Sequence, residues 1–292
     1  MRRLQWQLKL LGERNRDGSA RTQHQRALIL SLIAEELWQL GFRDLEYHQL
    51  GGRHVNRLLK GWQDKGLAPG TIKNRCAVLR WWSNKIDRGH IMSTSNDAYG
   101  IARRQYVTNI SKGTQLAEAS LATITCPYVR WSLMLQRDFG LRKEESIFYT
   151  PSYAWHPERD AHWMHLKPSW TKGGRARSIP VRTTVQVETL EGVAAFCARG
   201  SLIPRGLKFH QQRSKYEYQT RRAGLSALHG LRHAYAQQRF FDLTGQHCPA
   251  LGGKRRREMT AEERAVDDAV RLEISEELGH SRVDITHIYL GS

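Results

Sequence analysis

Apolar residues recur at helical spacing along most of the chain. Residues 24–40, HQRALILSLIAEELWQL, predict a helix with Leu28, Leu32, Ile33, Leu37 and Leu40 on one stripe, stopped by Gly41. RHVNRLLKGWQDKG repeats the pattern with Val55, Leu58, Leu59 and Trp62. After a Pro-Gly turn, TIKNRCAVLRWWSNKI places Ile72, Cys76, Leu79, Trp82 and Ile86 at the same period. These runs predict a helical module over residues 23–105. Before it, residues 1–22 are polar and Arg-rich and predict a basic flexible arm. After it, RRQYVTNISKGTQLAEA (103–119) has few apolar positions, and residues 106–119 predict a linker.

A second domain is expected over residues 120–292. LATITCPYVRWSLMLQRDFG predicts a buried helix ending at Gly140, and LRKEESIFY a short one. HWMHLKPSWTKGGRARSIPV predicts two short strands around a Gly-Gly turn. TTVQVETLEGVAAFCARG, the run around YEYQTRRAG, and HGLRHAYAQQRFFDLTG are helical in pattern, the last stopped by Gly245. TAEERAVDDAVRLEISEELG opens on a Thr-x-x-Glu capping box, Thr260 to Glu263, and ends at Gly279. The expected class is mainly α with a small β-sheet: a helical domain followed by a mixed α+β domain.

Composition narrows the partner. The 46 Lys+Arg against 28 Asp+Glu give +18, which calls for a polyanion, by default nucleic acid. A membrane is excluded as a span, because no apolar run reaches the ~18 residues one needs. The amino-terminal stretch is too interrupted by Gln, Lys and Glu for a secretory signal. Cys76, Cys126, Cys197 and Cys248 form no close pair, so reduced thiols in the cytoplasm are expected rather than disulfides or a zinc site. Lys73, Arg75 and Arg80 on the third predicted helix, and the run Lys254-Arg255-Arg256-Arg257, are candidate DNA contacts. Charges on a helix are more often just its solvated face.

Four fragments carry chemistry together: GLRKEES (140–146), TKGGRARSIP (171–180), HGLRHAYA (229–236) and LGHSRVDITHIYL (278–290). Each alone is ordinary. In order they read Arg142, Lys172, His229-x-x-Arg232, His280, Tyr289, with nine positions from His280 to Tyr289. This resembles the tyrosine recombinase (phage integrase) family, with Glu145 at that family's acidic position. The resemblance covers the catalytic half and, less specifically, the helical module, which resembles the family's core-binding domain. It implies a covalent 3′-phosphotyrosine intermediate, double-stranded DNA as partner, a homo-tetramer on two duplexes, nucleoid association and room for a directionality factor. It implies His229 as general acid/base and Lys172 as the acid for the leaving 5′ oxygen. It also implies that the two domains clamp DNA, with the linker crossing the duplex.

The chemistry supports the same residues. Two planar guanidiniums, Arg142 and Arg232, suit the non-bridging oxygens of a phosphodiester. They would act by stabilising the pentacoordinate state. A free tyrosine has a pKa near ~10, so Tyr289 needs help to attack near neutral pH. His280 would bond the phosphate or position the tyrosine, and Glu145 would buttress an active-site side chain. No metal or cofactor is expected.

Three features depart from the compact pattern. Arg232 and His280 are 48 positions apart, the added stretch carrying the 254–257 basic run. Only Leu290, Gly291 and Ser292 follow Tyr289, so docking of a longer tail on a neighbouring subunit is not carried over. His162 and His165 invite a metal, but without a Cys or carboxylate cluster alternating strand positions are the better expectation. The competing functions are a DNA-binding regulator without exchange activity and a type IB topoisomerase. The product separates them: recombinant joints, relaxed topoisomers, or only a shifted band.

Overall fold

The computed structural model describes every residue except Arg104, Ser281 and Arg282, and the side chain of Val283. It divides into two units, Met1–Gln105 and Tyr106–Ser292.

The first unit is built on helices α1 (Arg3–Arg14), α2 (Ala20–Gln39), α3 (Gly52–Asp64) and α4 (Pro69–Lys85). The Ser19 hydroxyl accepts from the Thr22 amide at 3.2 Å and starts α2, as an N-cap should. Helices α3 and α4 bury the expected residues, Val55, Leu58, Leu59 and Trp62 on one and Ile72, Cys76, Leu79 and Trp82 on the other. The polar edges of the two buried indoles are satisfied, Trp62 by Glu36 at 2.7 Å and Trp82 by the Tyr47 carbonyl at 2.8 Å.

Two expectations are corrected here. Residues 1–22 are not a loose arm: α1 buries Leu4, Leu8 and Leu11 against α2. Those leucines recur at helical spacing, but the polar residues between them mask the stripe. The stripe on α2 is also shifted. Leu30, Ile33, Ala34 and Leu37 are buried, while Leu28 and Leu32 are 53% and 39% exposed. Two residues along a helix is about 200° of rotation, so Leu28 and Leu32 lie almost opposite Leu30.

The second unit contains α5 (Glu118–Ala122), α6 (Pro127–Phe139), α7 (Lys143–Phe148), α8 (Pro151–Ala154) and α9 (Pro157–Asp160). Strands β1 (Trp163–Leu166) and β2 (Arg177–Pro180) follow. The chain ends with α10 (Thr184–Cys197), α11 (Phe209–Arg222), α12 (Gly230–Thr244), α13 (Ala261–Glu277) and α14 (Thr286–Leu290). The strands pair antiparallel, Trp163 opposite Pro180 and Leu166 opposite Arg177. His165 on β1 meets the Ser178 hydroxyl across the pair at 2.8 Å. The capping box at α13 forms, Thr260 accepting from the Glu263 amide at 3.2 Å and Glu263 from the Thr260 amide at 2.7 Å. Helix α12, whose first turn carries Arg232, packs against α6, α13 and the Tyr289-bearing α14.

The expected linker is likewise corrected. Residues 106–119 belong to the second unit and are fastened to it. Leu116 is buried with Ile124, Val129 and Leu231, and the Thr114 amide donates to the Gly230 carbonyl at 3.1 Å. Its polar composition conceals a run of specific hydrogen bonds. For α1, Leu8→Ala is expected to lower the stability of the first unit by about 2–4 kcal/mol. A shift in the urea midpoint measures this, and an unchanged midpoint would restore the loose arm.

Candidate active site

Gly140 ends α6 in the left-handed conformation, φ +60°, and a Cβ there would lie 2.6 Å from the Tyr235 ring. That sharp exit delivers Arg142 to the N-cap of α7. Glu145, one turn in, accepts from the Arg142 amide at 2.9 Å and from its guanidinium at 2.6 Å. The same carboxylate receives both terminal nitrogens of Arg177, on β2, at 3.0 and 2.6 Å. Glu145 is 1% exposed and Arg177 6% by side chain, so this is a buried bidentate pair with a third cationic partner. Burial alone would push the Glu145 carboxyl up. Arg177, Arg142 and Arg232 override it and hold the group at about 2. Glu145 thus bonds both Arg142 and Arg177.

Arg232 is buried to 1% exposure on the first turn of α12. It donates to the Gly140 carbonyl at 2.5 Å, to the Leu278 carbonyl, and meets His280 Nε2 at 3.3 Å. Gly140 and Leu278 are the C-caps of α6 and α13, where backbone carbonyls lack helical partners and the helix dipole is negative. Two helix ends therefore orient one guanidinium. Burial and the Arg142 charge lower Arg232 to about 10, which leaves it cationic at neutral pH. Its Nε–H is buried and finds no acceptor among the described residues.

Tyr289, on α14, is 5% exposed and its hydroxyl lies 3.4 Å from His229 Nε2. The Arg232 guanidinium sits 5.9 Å from the tyrosine ring, and the ring of His280 5.6 Å from it. His229 is lowered, first by loss of water around its ring and then by Arg232 and Arg142, with Glu145 opposing. His280 is lowered to about 3 by burial and by Arg232, Arg142 and Arg177. Both are neutral at physiological pH. Lys172 stands on the exposed turn between the strands, and its charge is felt at His229.

The fold therefore brings together Arg142, Glu145, His229, Arg232, His280 and Tyr289, with Lys172 on a neighbouring turn. It adds two residues that sequence reasoning missed. Arg177 lies within TKGGRARSIP, and nothing in its spacing announces a carboxylate 32 positions away. His233 is 5% exposed, its ring lies 4.5 Å from that of Tyr289 at a 45° tilt, and burial with His229, Lys112 and Arg232 nearby lowers it to about 4. One turn beyond His229, its place in HGLRH could have suggested it.

The candidate DNA contacts outside the site are mostly engaged. Arg75 pairs with Glu36 at 3.0 Å, and Arg80 holds the Ser93 carbonyl at 2.8 Å and Asn96 at 2.9 Å. Lys254 pairs with Glu263 at 2.6 Å, Arg256 with Asp268 at 2.5 Å and Arg257 with Glu258 at 3.5 Å. Lys73 and the Arg255 side chain have no ion pair among the described residues.

The family models agree with this layout. Phage integrase, N-terminal, matches residues 1–91, and Integrase matches residues 104–238. The second match takes in Arg142, Lys172, His229 and Arg232, while His280 and Tyr289 lie beyond it and are brought in by the fold. Among solved structures, a lambda integrase dimer bound to a COC' core site is 15% identical with a TM-score of 0.62, over 97% of this chain and 76% of that one. XerH recombinase bound to difH substrate is 15% identical at 0.57, over 98% and 80%. The Tn1549 transposon integrase in complex with circular intermediate DNA is 12% identical at 0.54, over 100% and 96%. At such identities these likenesses concern the fold. No curated protein matches the chain. The chain belongs to the phage integrase family, the tyrosine recombinases. Within that family it is a site-specific DNA recombinase.

Glu145 has a pH signature. A carboxyl with a folded value near 2, against an ordinary glutamate value of 4.5, contributes roughly 3 kcal/mol of stability above the unfolded value. That contribution disappears as pH falls from about 5 toward 2. Glu145→Gln is expected to lower stability at pH 7 and to flatten its dependence over that window, read by urea unfolding at each pH. An equally steep profile in the variant would remove Glu145 as the source.

Proposed function

We propose that Tyr289 is the nucleophile of strand exchange between two DNA duplexes, as in the integration or excision of a mobile element. The observation that carries this is the Tyr289 hydroxyl 3.4 Å from His229 Nε2, beside the buried Arg232. His229 accepts the phenolic proton as the tyrosine oxygen attacks phosphorus. A 3′-phosphotyrosyl ester forms and the bond from phosphorus to the 5′ oxygen breaks. Lys172 donates the proton that the leaving 5′ oxygen takes up. Arg142 and Arg232 neutralise the non-bridging oxygens, Arg232 with its unspent Nε–H. His280, neutral, bonds the phosphate or orients the tyrosine. Attack by the 5′ hydroxyl of another strand reverses the step and joins new partners, so the energy of the cut bond is kept in the ester.

Lambda integrase is described as a dimer on a core site and as a tetramer on a Holliday junction. We place this chain in the same kind of assembly: four copies on two duplexes, with a directionality factor as an accessory and the nucleoid as its location. No helix among the described residues is long and apolar enough to cross a membrane.

A nicked duplex carrying the element's end tests the nucleophile. Wild type is expected to give a denaturation-resistant adduct mapping to Tyr289, and Tyr289→Phe none, with DNA binding unchanged. Loss of binding as well as cleavage would count against the assignment. Arg232→Ala is expected to slow cleavage by at least ~10²-fold, far beyond any loss of binding. Because a lowered His229 stays neutral below the ordinary histidine value of ~6.5, the acid limb of the cleavage-rate profile should fall below that pH. An acid limb at or above it would remove His229 as the base.

A further inference from the structure

Residues 109–114 enter the second unit just after its boundary at Tyr106 and grip both halves of the tyrosine–histidine couple. Asn109 Nδ2 donates to the Ser292 carbonyl at 2.9 Å, and its Oδ1 accepts from the Ser292 amide at 2.7 Å. This side chain thus pairs with the backbone just past α14, as a neighbouring strand would. Its own backbone is left-handed, φ +48°, a conformation asparagine tolerates better than most residues.

Two residues on, the Ser111 hydroxyl donates to Gln237 Oε1 at 3.0 Å. Gln237 is 4% exposed on α12, and its amide donates to the carbonyl of Tyr289 itself at 3.0 Å. Ser111 is held by the Gly113 amide at 3.1 Å, and a Cβ on Gly113 would come 2.8 Å from Gln237 Oε1. Then Thr114 donates to the carbonyl of Gly230, the residue after His229, at 3.1 Å. One short segment therefore ties down the end of α14, the Tyr289 backbone and the start of α12.

We propose that residues 109–114 are a latch that fixes Tyr289 against His229, with Asn109, Ser111 and Gln237 as positioning residues. The latch rests on Tyr289 being the nucleophile. α14 is only five residues long, too short to hold its own place. A nucleophile on such an element needs tethers from outside it, and the latch supplies them. Its placement next to the boundary means that a pull on the chain at Tyr106 bears on the reacting tyrosine.

The test uses the full chain and saturating nicked DNA, with single-turnover formation of the covalent adduct as readout. DNA affinity and amide exchange over residues 284–292 are followed in parallel. The double variant Asn109→Ala/Ser111→Ala is expected to cleave about tenfold more slowly, with affinity unchanged and faster exchange in α14. Ser111→Thr, which keeps the hydroxyl, should stay close to wild type. Gly113→Ala, which removes no hydrogen bond and presses on Gln237, should slow cleavage in the same sense, so misfolding of the double variant alone does not decide the matter. Unchanged cleavage, faster cleavage, or slower cleavage without faster exchange overturns the latch. A wild-type protein that forms no adduct at Tyr289 sinks the nucleophile reading instead, and the latch with it.

Discussion

The site depends on one buried carboxylate. Arg142, Arg177 and Arg232 converge in a space from which water is largely removed, and like charges so placed repel strongly. Glu145 sits among them and takes hydrogen bonds from two of the three. It joins α7 to β2 and offsets part of the charge that the fold concentrates there. Breaking such a cluster from one side leaves buried charge unpaired.

The positive field has two consequences at once. It makes the site attractive to a phosphate, and it adds to burial, the larger cause, in keeping His229, His233 and His280 neutral. A neutral imidazole can accept a proton from a phenol, whereas an imidazolium cannot. The same field that suits a phosphate therefore also favours a histidine able to accept a proton. Arg232 bears part of this penalty and stays cationic, because two helix C-termini point their carbonyls at it, an arrangement that solvates the guanidinium without supplying a formal negative charge.

Net charge proves a poor guide to contacts. The +18 balance agrees with a polyanionic partner, yet Arg75, Lys254 and Arg256 spend their charge on neighbouring carboxylates and Arg80 caps a loop. Clusters of lysine and arginine in a sequence report total charge. Their availability depends on which acids the fold sets beside them, as α13 does for the 254–257 run.

The chain by itself determined the helical class, the hairpin, the capping box at Thr260 and the ordered set from Arg142 to Tyr289. These are short-range patterns, a period or a fixed spacing that chemistry demands locally. Tertiary structure alone decided that α1 is packed, which face of α2 is buried, that Arg177 shares Glu145, and that residues 109–114 hold the tyrosine. Asn109 and Ser292 are 183 positions apart, and Arg232 and Gly140 are 92 apart. A side chain that bonds a distant backbone atom needs no periodicity and no particular neighbour in sequence. It becomes legible only when the folded chain closes the distance.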